Sequence, residues 1–283
     1  MQSFRSRLFL SHLTISAAII FSCVAFVIFV WYPPPLAQIE GVFSILLVMA
    51  FVDVCAGPLC TLVAASPGKA RKELTRDLSI IGGLQLLALG YALYTTCIAR
   101  PAYIVYSLGN FDVEHANELS VDELIKASGT AFASTPLSGP QYVEARFPDD
   151  PAVASQIINS AVTTGVDIKD MPQYFRVWPM HGTDVRKYAV PVSELPAGKP
   201  LRDQIDKILQ DKSISRDDAV VLPISGKIDR GTVLLRASDL EVLGIVPFLV
   251  PPVRTPPNAP ASKDADKPRG KMEGRFENRT SSA

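Results

Sequence analysis

The sequence predicts a membrane α+β protein in which three N-terminal transmembrane helices precede a mixed α/β extracytoplasmic domain with a mostly antiparallel sheet. Three apolar runs, residues 8–30, 42–65 and 78–98, each approach the ~20 residues that cross ~30 Å of hydrocarbon. After residue 98, short runs rich in β-branched and aromatic residues are interspersed with amphipathic helical patterns, as in a folded polar domain. From residue 254 onward Pro, Lys and Ser replace core formers, so a disordered tail is expected. The expected organisation is therefore 1–98 in the membrane, 99–253 outside it, and 254–283 as tail.

The first run could be read as a signal peptide, since Arg5 and Arg7 precede it. It is longer than a signal core, and Trp31, Tyr32 and three prolines stand where small cleavage-site residues would be, which favours a retained anchor. Orientation follows from basic residues near the helix ends. Arg5, Arg7, Lys69, Arg71, Lys72 and Arg76 mark one side, and residues 31–40 contain no Lys or Arg. The N-terminus is thus expected inside, with everything after Ile98 outside. Trp31, Tyr32, Tyr91, Tyr94 and Tyr103 fall near the outer boundary, where amphipathic rings suit the headgroup layer.

Composition excludes some functions. The 28 basic and 28 acidic residues cancel, and the outer domain carries Glu114, Glu118, Asp122, Glu123, Asp149 and Asp150. No concentrated basic face is present to neutralise phosphates, so no nucleic-acid partner is expected. All four cysteines, Cys23, Cys55, Cys60 and Cys97, lie in the apolar runs and read as small packing residues. The outer domain must hold together without disulfides. The basic segment 66–77 reads as a solvated cytoplasmic loop, with an anionic-lipid contact as the lesser reading.

Within the helices one residue stands out. Asp53 interrupts an apolar run, where a mid-helix acid costs on the order of 2.5–3.5 kcal/mol unless something offsets it. Asp53, Gly57, Cys60, Thr61 and Ala64 recur at helical spacing, which turns the acid toward protein. Pro58 removes the amide hydrogen that the Val54 carbonyl needs, so the helix should kink or open beside the acid. Gln85, sharing a face with Gly82 and Ala92 in the third run, is the expected hydrogen-bonding partner of Asp53. Ser11, Ala18, Ser22 and Ala25 form a small-residue stripe on the first helix, a candidate helix contact.

In the outer domain, helices are expected over 114–128, with Ser120 and Glu123 as a capping pair, over 150–164 and over 201–209. Strands are expected over 103–107, 142–147, 188–192, 219–224, 232–236 and 242–247, with a hairpin turn at 225–231. Residues 240–253 are apolar but too short and proline-rich to span a membrane. His115 and His181 lack the spacing of metal ligands, and Ser160, Ser193 and Ser238 lack a nucleophile-elbow context. No metal, cofactor or catalytic residue is expected, and the chain does not read as an enzyme. A proton or ion relay through Asp53 would need more polar groups in series than three helices offer. Asp170, Pro172 and Tyr174 form a loop leading to Phe175 and Trp178, read first as a cover over a small core and second as a recognition surface.

Asp53 with Gly57-Pro58-Leu59 and Thr61, then Lys72, Asp77-Leu78, Gln85 with Ala88-Leu89, and Arg100-Pro101, resemble the type IV pilin accessory proteins of the TfpX/TfpZ group. The Asp-Met-Pro segment at Asp170 and the strand pair after Ala219 are also similar. The resemblance covers roughly residues 1–250 and is most specific over 53–101. It departs at Gly90-Tyr91, where the family pattern has tyrosine before glycine, and at the tail after Arg254. The resemblance implies an inner-membrane protein with a periplasmic domain that stabilises, presents or helps assemble a cognate type IV pilin. It makes Asp53, Gly57, Pro58, Thr61, Gln85 and Arg100 the candidate partner-binding or helix-pairing residues. The competing reading is a membrane-anchored periplasmic ligand-binding or sensor protein. The sequence leaves the oligomeric state open.

Overall fold

Helices are drawn out where the apolar runs are longest, and the structure, a computed structural model, describes residues 2–66, 68–179, 183–195 and 199–248. The tail expected over 254–283 and His181 lie outside the described residues. Among the described residues, three helices are long and apolar enough to cross a membrane: α1 Phe4–Trp31, α2 Val42–Ala64 and α3 Arg71–Ile98. The third begins earlier than its apolar run because Arg71, Lys72, Glu73, Leu74 and Arg76 are good helix formers, and Lys69 pairs with Asp77 at its start. Their outward faces are apolar, with Phe21, Phe29, Leu47, Val63 and Leu87 all exposed.

Two stretches depart from the α register. Val27–Trp31 closes α1 as π-helix, and Phe51–Ala56 is π-helix in the middle of α2. In the latter, Gly57 N donates to Val52 O five residues back, a register that carries the backbone past the hydrogen missing at Pro58. The expected opening beside Asp53 is therefore a π-bulge.

After α3 the chain forms an eight-stranded sheet: β1 Pro101–Ser107, β2 Asn110–His115, β3 Gln141–Ala145, β4 Phe175–Val177, β5 Val190–Pro191, β6 Ala219–Ser225, β7 Arg230–Arg236 and β8 Val242–Val246. The order is β4-β3-β1-β2-β6-β7-β8, with β5 sharing the edge of β6. The sheet is mixed, which corrects the expected mostly antiparallel one. Its antiparallel groups meet only through two parallel pairings, β1 with β3 and β2 with β6. Long connections cause this, because a chain that leaves a hairpin through a helical crossover returns in the same direction. Helix α4, Val121–Lys126, lies in the first crossover, between β2 and β3. The second, between β2 and β6, also contains α5 Pro151–Thr163, α6 Thr183–Tyr188 and α7 Lys199–Asp211.

Local expectations fare unevenly. Ser120 caps α4 by accepting from Glu123 N at 3.2 Å, and Asp150 caps α5. Glu114 and His115, expected in a helix, belong to β2. A two-residue turn with Leu108 and Gly109 both at positive φ folds β2 back on β1, and glycine makes the second of those positions inexpensive. Tyr188 ends α6 and leaves only Val190–Pro191 as strand. Strand β4 had no clear signal in its three residues.

The sheet buries both faces. One face gathers Ile104, Tyr106, Phe111, Leu222, Ile224, Val233 and Trp178. The other is covered by α4 and α5 around Tyr103, Val105, Phe132 and Phe175, and by α7 around Val221, Leu234 and Ile205. The connection between α1 and α2 joins the first of these cores. Its short helix Leu36–Ile39 buries Leu36 and Ile39 completely among the sheet residues. Trp31 Nε1 donates to Leu137 O at 3.0 Å, and Tyr32 Oη donates to Ala99 O at 2.8 Å, so the end of α1 is also bonded to the chain beyond α3.

Candidate functional site

The site is built where α1, α2 and α3 converge on Asp53. The residue sits near the middle of α2, inside the π-bulge, and is buried at 5% exposure. From α3, Gln85 Nε2 donates to Asp53 Oδ1 at 3.2 Å and to the Asp53 carbonyl at 3.1 Å. Gln85 Oε1 is buried and has no hydrogen-bond partner among the described residues. Gly57 makes the approach possible. A Cβ there would lie 2.1 Å from Gln85 Nε2, so a side chain would displace the amide from the acid.

One turn further, Thr61 is fully buried and lies 2.6 Å from His12 Nδ1 of α1. Arg5 donates to Leu62 O at 2.8 Å, tying the start of α1 to the end of α2. Sequence reasoning missed His12 because it placed the contact face of α1 on Ser11, Ala18, Ser22 and Ala25. Ser11, Ala18 and Ser22 are exposed, and the inward stripe is His12, Ser16, Ile20, Cys23 and Val27. A reading offset by one residue rotates a helix by about 100°. Cys23 and Cys97 pack among the helices, whereas Cys55 and Cys60 are exposed on the outer face, contrary to the packing role expected of them.

Two grooves open on Asp53. The first, about 210 Å³, runs between α1 and α3 and is lined by His12, Ser16, Ile19, Asp53, Gln85 and Leu89. The second, about 490 Å³, lies between α2 and α3 against Ile45, Met49, Val52, Ala88 and Tyr91. Each is an apolar channel with one polar focus.

The remaining expected residues lie elsewhere. Arg100 is about 22 Å along the helix axis from Gln85 and does not join them. Its guanidinium donates to Cys97 O at 2.7 Å, Pro136 O at 2.9 Å and Thr135 Oγ1 at 3.1 Å, which caps the carbonyl end of α3 and fastens a loop to it. Asp170 closes a capping box by accepting from Asp167 N at 2.8 Å. Pro172 is buried and Tyr174 packs half-buried on the core, while Phe175 and Trp178 are buried. The Asp170–Tyr174 loop is thus a cover over the core, and the aromatics beyond it are not a surface.

The outer domain contains a polar cluster that sequence spacing did not reveal. His115 donates from both ring nitrogens, Nδ1 to Glu118 Oε2 at 2.6 Å and Nε2 to Glu40 Oε2 at 2.7 Å. Lys227 Nζ donates to Glu118 Oε1 at 2.6 Å. Burial works against charge on His115, but its bonds to Glu118 and Glu40 outweigh it and push the imidazole up to about 9. Glu118 is held well below the usual carboxylate range, first by its hydrogen bond to His115. Glu40 comes from the α1–α2 connection, 75 residues away from His115 in sequence. A polar cavity of about 450 Å³ on the same domain is lined by Tyr106, Glu144, Arg146, Phe147, Lys187 and Tyr188.

Three apolar helices fixed to a mixed sheet, with a polar focus between the helices, define the class of protein. Comparison with known proteins gives the family. The model of the fimbrial assembly protein FimB matches residues 2–41. The fimbrial assembly protein of serogroups C1 and C2 of Dichelobacter nodosus is 35% identical over 119 residues, which cover 42% of this chain and 88% of that protein. Its serogroup E1 counterpart is 27% identical over 215 residues, 75% of this chain and 83% of the other, and the serogroup I counterpart is 28% identical over 218 residues, 76% and 82%. No solved structure matches. The chain belongs to the fimbrial assembly protein family, and this bears out the resemblance to pilus accessory proteins.

Proposed function

We propose that this chain is a membrane-anchored assembly factor for a type IV fimbrial subunit and that it holds the subunit's membrane helix in a groove beside Asp53. The fimbrial assembly role rests on the family. The docking role rests on one observation: a buried acid and an amide with an open acceptor meet at the centre of two apolar grooves. In this reading the N-terminus is cytoplasmic, the three helices span the inner membrane, and the sheet domain faces the periplasm beside the subunit's globular part. Gly57 admits the Gln85 amide, Thr61 meets His12 of α1, and Arg100 fastens a loop of the outer domain to the end of α3.

Deleting the chain is expected to lower the subunit's abundance and abolish fimbriae. Asp53→Leu is expected to reproduce that loss, whereas Asp53→Asn, which keeps hydrogen bonding, retains at least part of assembly. If both variants assemble fimbriae normally, Asp53 is not the docking element. Photo-crosslinkers at Ile19 and Tyr91 would report which groove the subunit occupies, and one at Tyr174 would test contact from the outer domain. The competing reading of a ligand-binding protein draws on the cavity beside Tyr106 and Glu144. Unaltered fimbriae in the deletion strain would move the weight to it.

A further inference from the structure

The outer domain reaches back to the helices at two places, and each place presents an exposed apolar side chain. At the first, the loop preceding β3 lies against the end of α1. Trp31 Nε1 donates to Leu137 O at 3.0 Å, Arg100 of the α3 end donates to Pro136 O at 2.9 Å, and the Leu137 side chain is 70% exposed. At the second, the β6–β7 turn lies against the start of α2. Ile228 N and Asp229 N both donate to Ile39 O, at 3.3 and 3.2 Å, and a Cβ on Gly41 would come within 2.5 Å of Ile228 Cδ1. Ile228 is nonetheless 67% exposed.

What sets these two apart from the other exposed apolar side chains of the domain, such as Val121 and Val162, is their place on segments bonded to the helix ends. The neighbouring helix residues point to what covers them. Phe29 of α1 and Phe43 of α2 are also exposed, at 73% and 52%, and belong to the outward apolar faces of helices long enough to cross a membrane. Leu137 and Ile228 sit on the two segments bonded to the ends of those helices.

We infer that Leu137 and Ile228 are two feet that seat the outer domain on the bilayer, inserted at the boundary between headgroups and acyl chains. The occupant of this surface is lipid. The inference rests on the transmembrane placement of α1 and α2. With the domain already bonded to the helix ends, two inserted side chains fix its tilt over the membrane and hold it low beside whatever the helices dock.

The test uses the full chain reconstituted in phosphatidylcholine vesicles, with acyl chains either plain or brominated close to the headgroup. Single substitutions Leu137→Trp, Ile228→Trp, Phe29→Trp and Val162→Trp are compared with the parent, and the added emission is read in each lipid. Val162, 82% exposed on α5, is the water-facing control, and all four positions are exposed enough to take the larger ring. Emission added at 29, 137 and 228 is expected to fall about twofold in brominated lipid, with that at 162 unchanged. Quenching at 29 with neither loop quenched, or with only one of them, overturns the two-point seat and leaves the membrane placement standing. No quenching at 29 removes the placement, and the inference with it.

Discussion

Asp53 is held by a short chain of steric permissions. Gly57 leaves room for the Gln85 amide, and the amide bonds both the side chain and the carbonyl of Asp53. Gly57→Ala is therefore expected to push the amide away and destabilise the helix bundle by about 1–2 kcal/mol, read as a lower unfolding midpoint in detergent. A second Gly57→Ala, Gln85→Ala variant should recover part of that loss, since the clash disappears with the amide. At His115 the dependence is on pH. Its folded value, about 9, lies above its ordinary value of 6.5, so the stabilisation is complete below 6.5 and is lost as pH rises through 9. The lowered Glu118 works at the other end, its contribution disappearing as acid protonates it. Raising pH from neutral to 10 is expected to lower stability by about 2–3 kcal/mol, and His115→Gln should flatten that alkaline limb of the melting profile. The acid between the apolar helices and its amide partner were legible in the sequence because polar residues in apolar runs are few and must pair. The His115 cluster was not, because its partners come from positions 40, 118 and 227 and share no spacing.

At the scale of elements, α2 is organised by its π-bulge. The extra residue in the turn lets the helix continue past Pro58 while setting Asp53 toward α3. Pro58→Ala supplies the missing donor and favours a regular α register, which would rotate residue 53 relative to Gln85. In a background without native cysteines, a cysteine pair at 53 and 85 is expected to cross-link readily with Pro58 present and several-fold less with alanine. An unchanged cross-linking rate would show that the bulge is set by packing and not by proline. The three helices were readable from length and hydropathy alone, as were the capped helix α5 and the hairpin β6–β7. What escaped was decided by partners distant in sequence. Strand β2 alternates Phe111 and Val113 with acids, and its acidic end imitates the first turn of a helix until β1 and β6 are there to pair with it. Strand β4 is three residues long and exists through its pairing with β3.

At the scale of the whole molecule, the chain does not separate cleanly after residue 98. The sheet's inner face is completed by Leu36 and Ile39 from between the first two helices, and Glu40 is bonded to His115 from the same connection. Sequence reading treats residues 31–40 as a loop, since a segment of ten residues with three prolines shows no periodicity that would assign it to a core. A fragment beginning at residue 99 is expected to expose the cleft those side chains fill, to bind hydrophobic dyes and to lack a cooperative melt. Adding a peptide of residues 33–41 should restore part of both. A cooperative melt of the fragment alone would show that the sheet closes without them.

That shared core also sets an order in time. Leu36 and Ile39 leave the ribosome early, yet the residues they pack against, Leu222, Ile224, Val233 and Leu235, are among the last structured parts to be made. With the three helices spanning a membrane as proposed above, the connection between α1 and α2 has no sheet to enter until those strands have crossed it, and the third helix must already have delivered the rest of the chain to the same side. In that placement, completion of the outer fold requires that all three helices have been inserted in matching directions. A chain with one helix misoriented would leave Leu36, Ile39 and their sheet partners on opposite sides of the bilayer, with two exposed apolar surfaces for quality-control proteases to find.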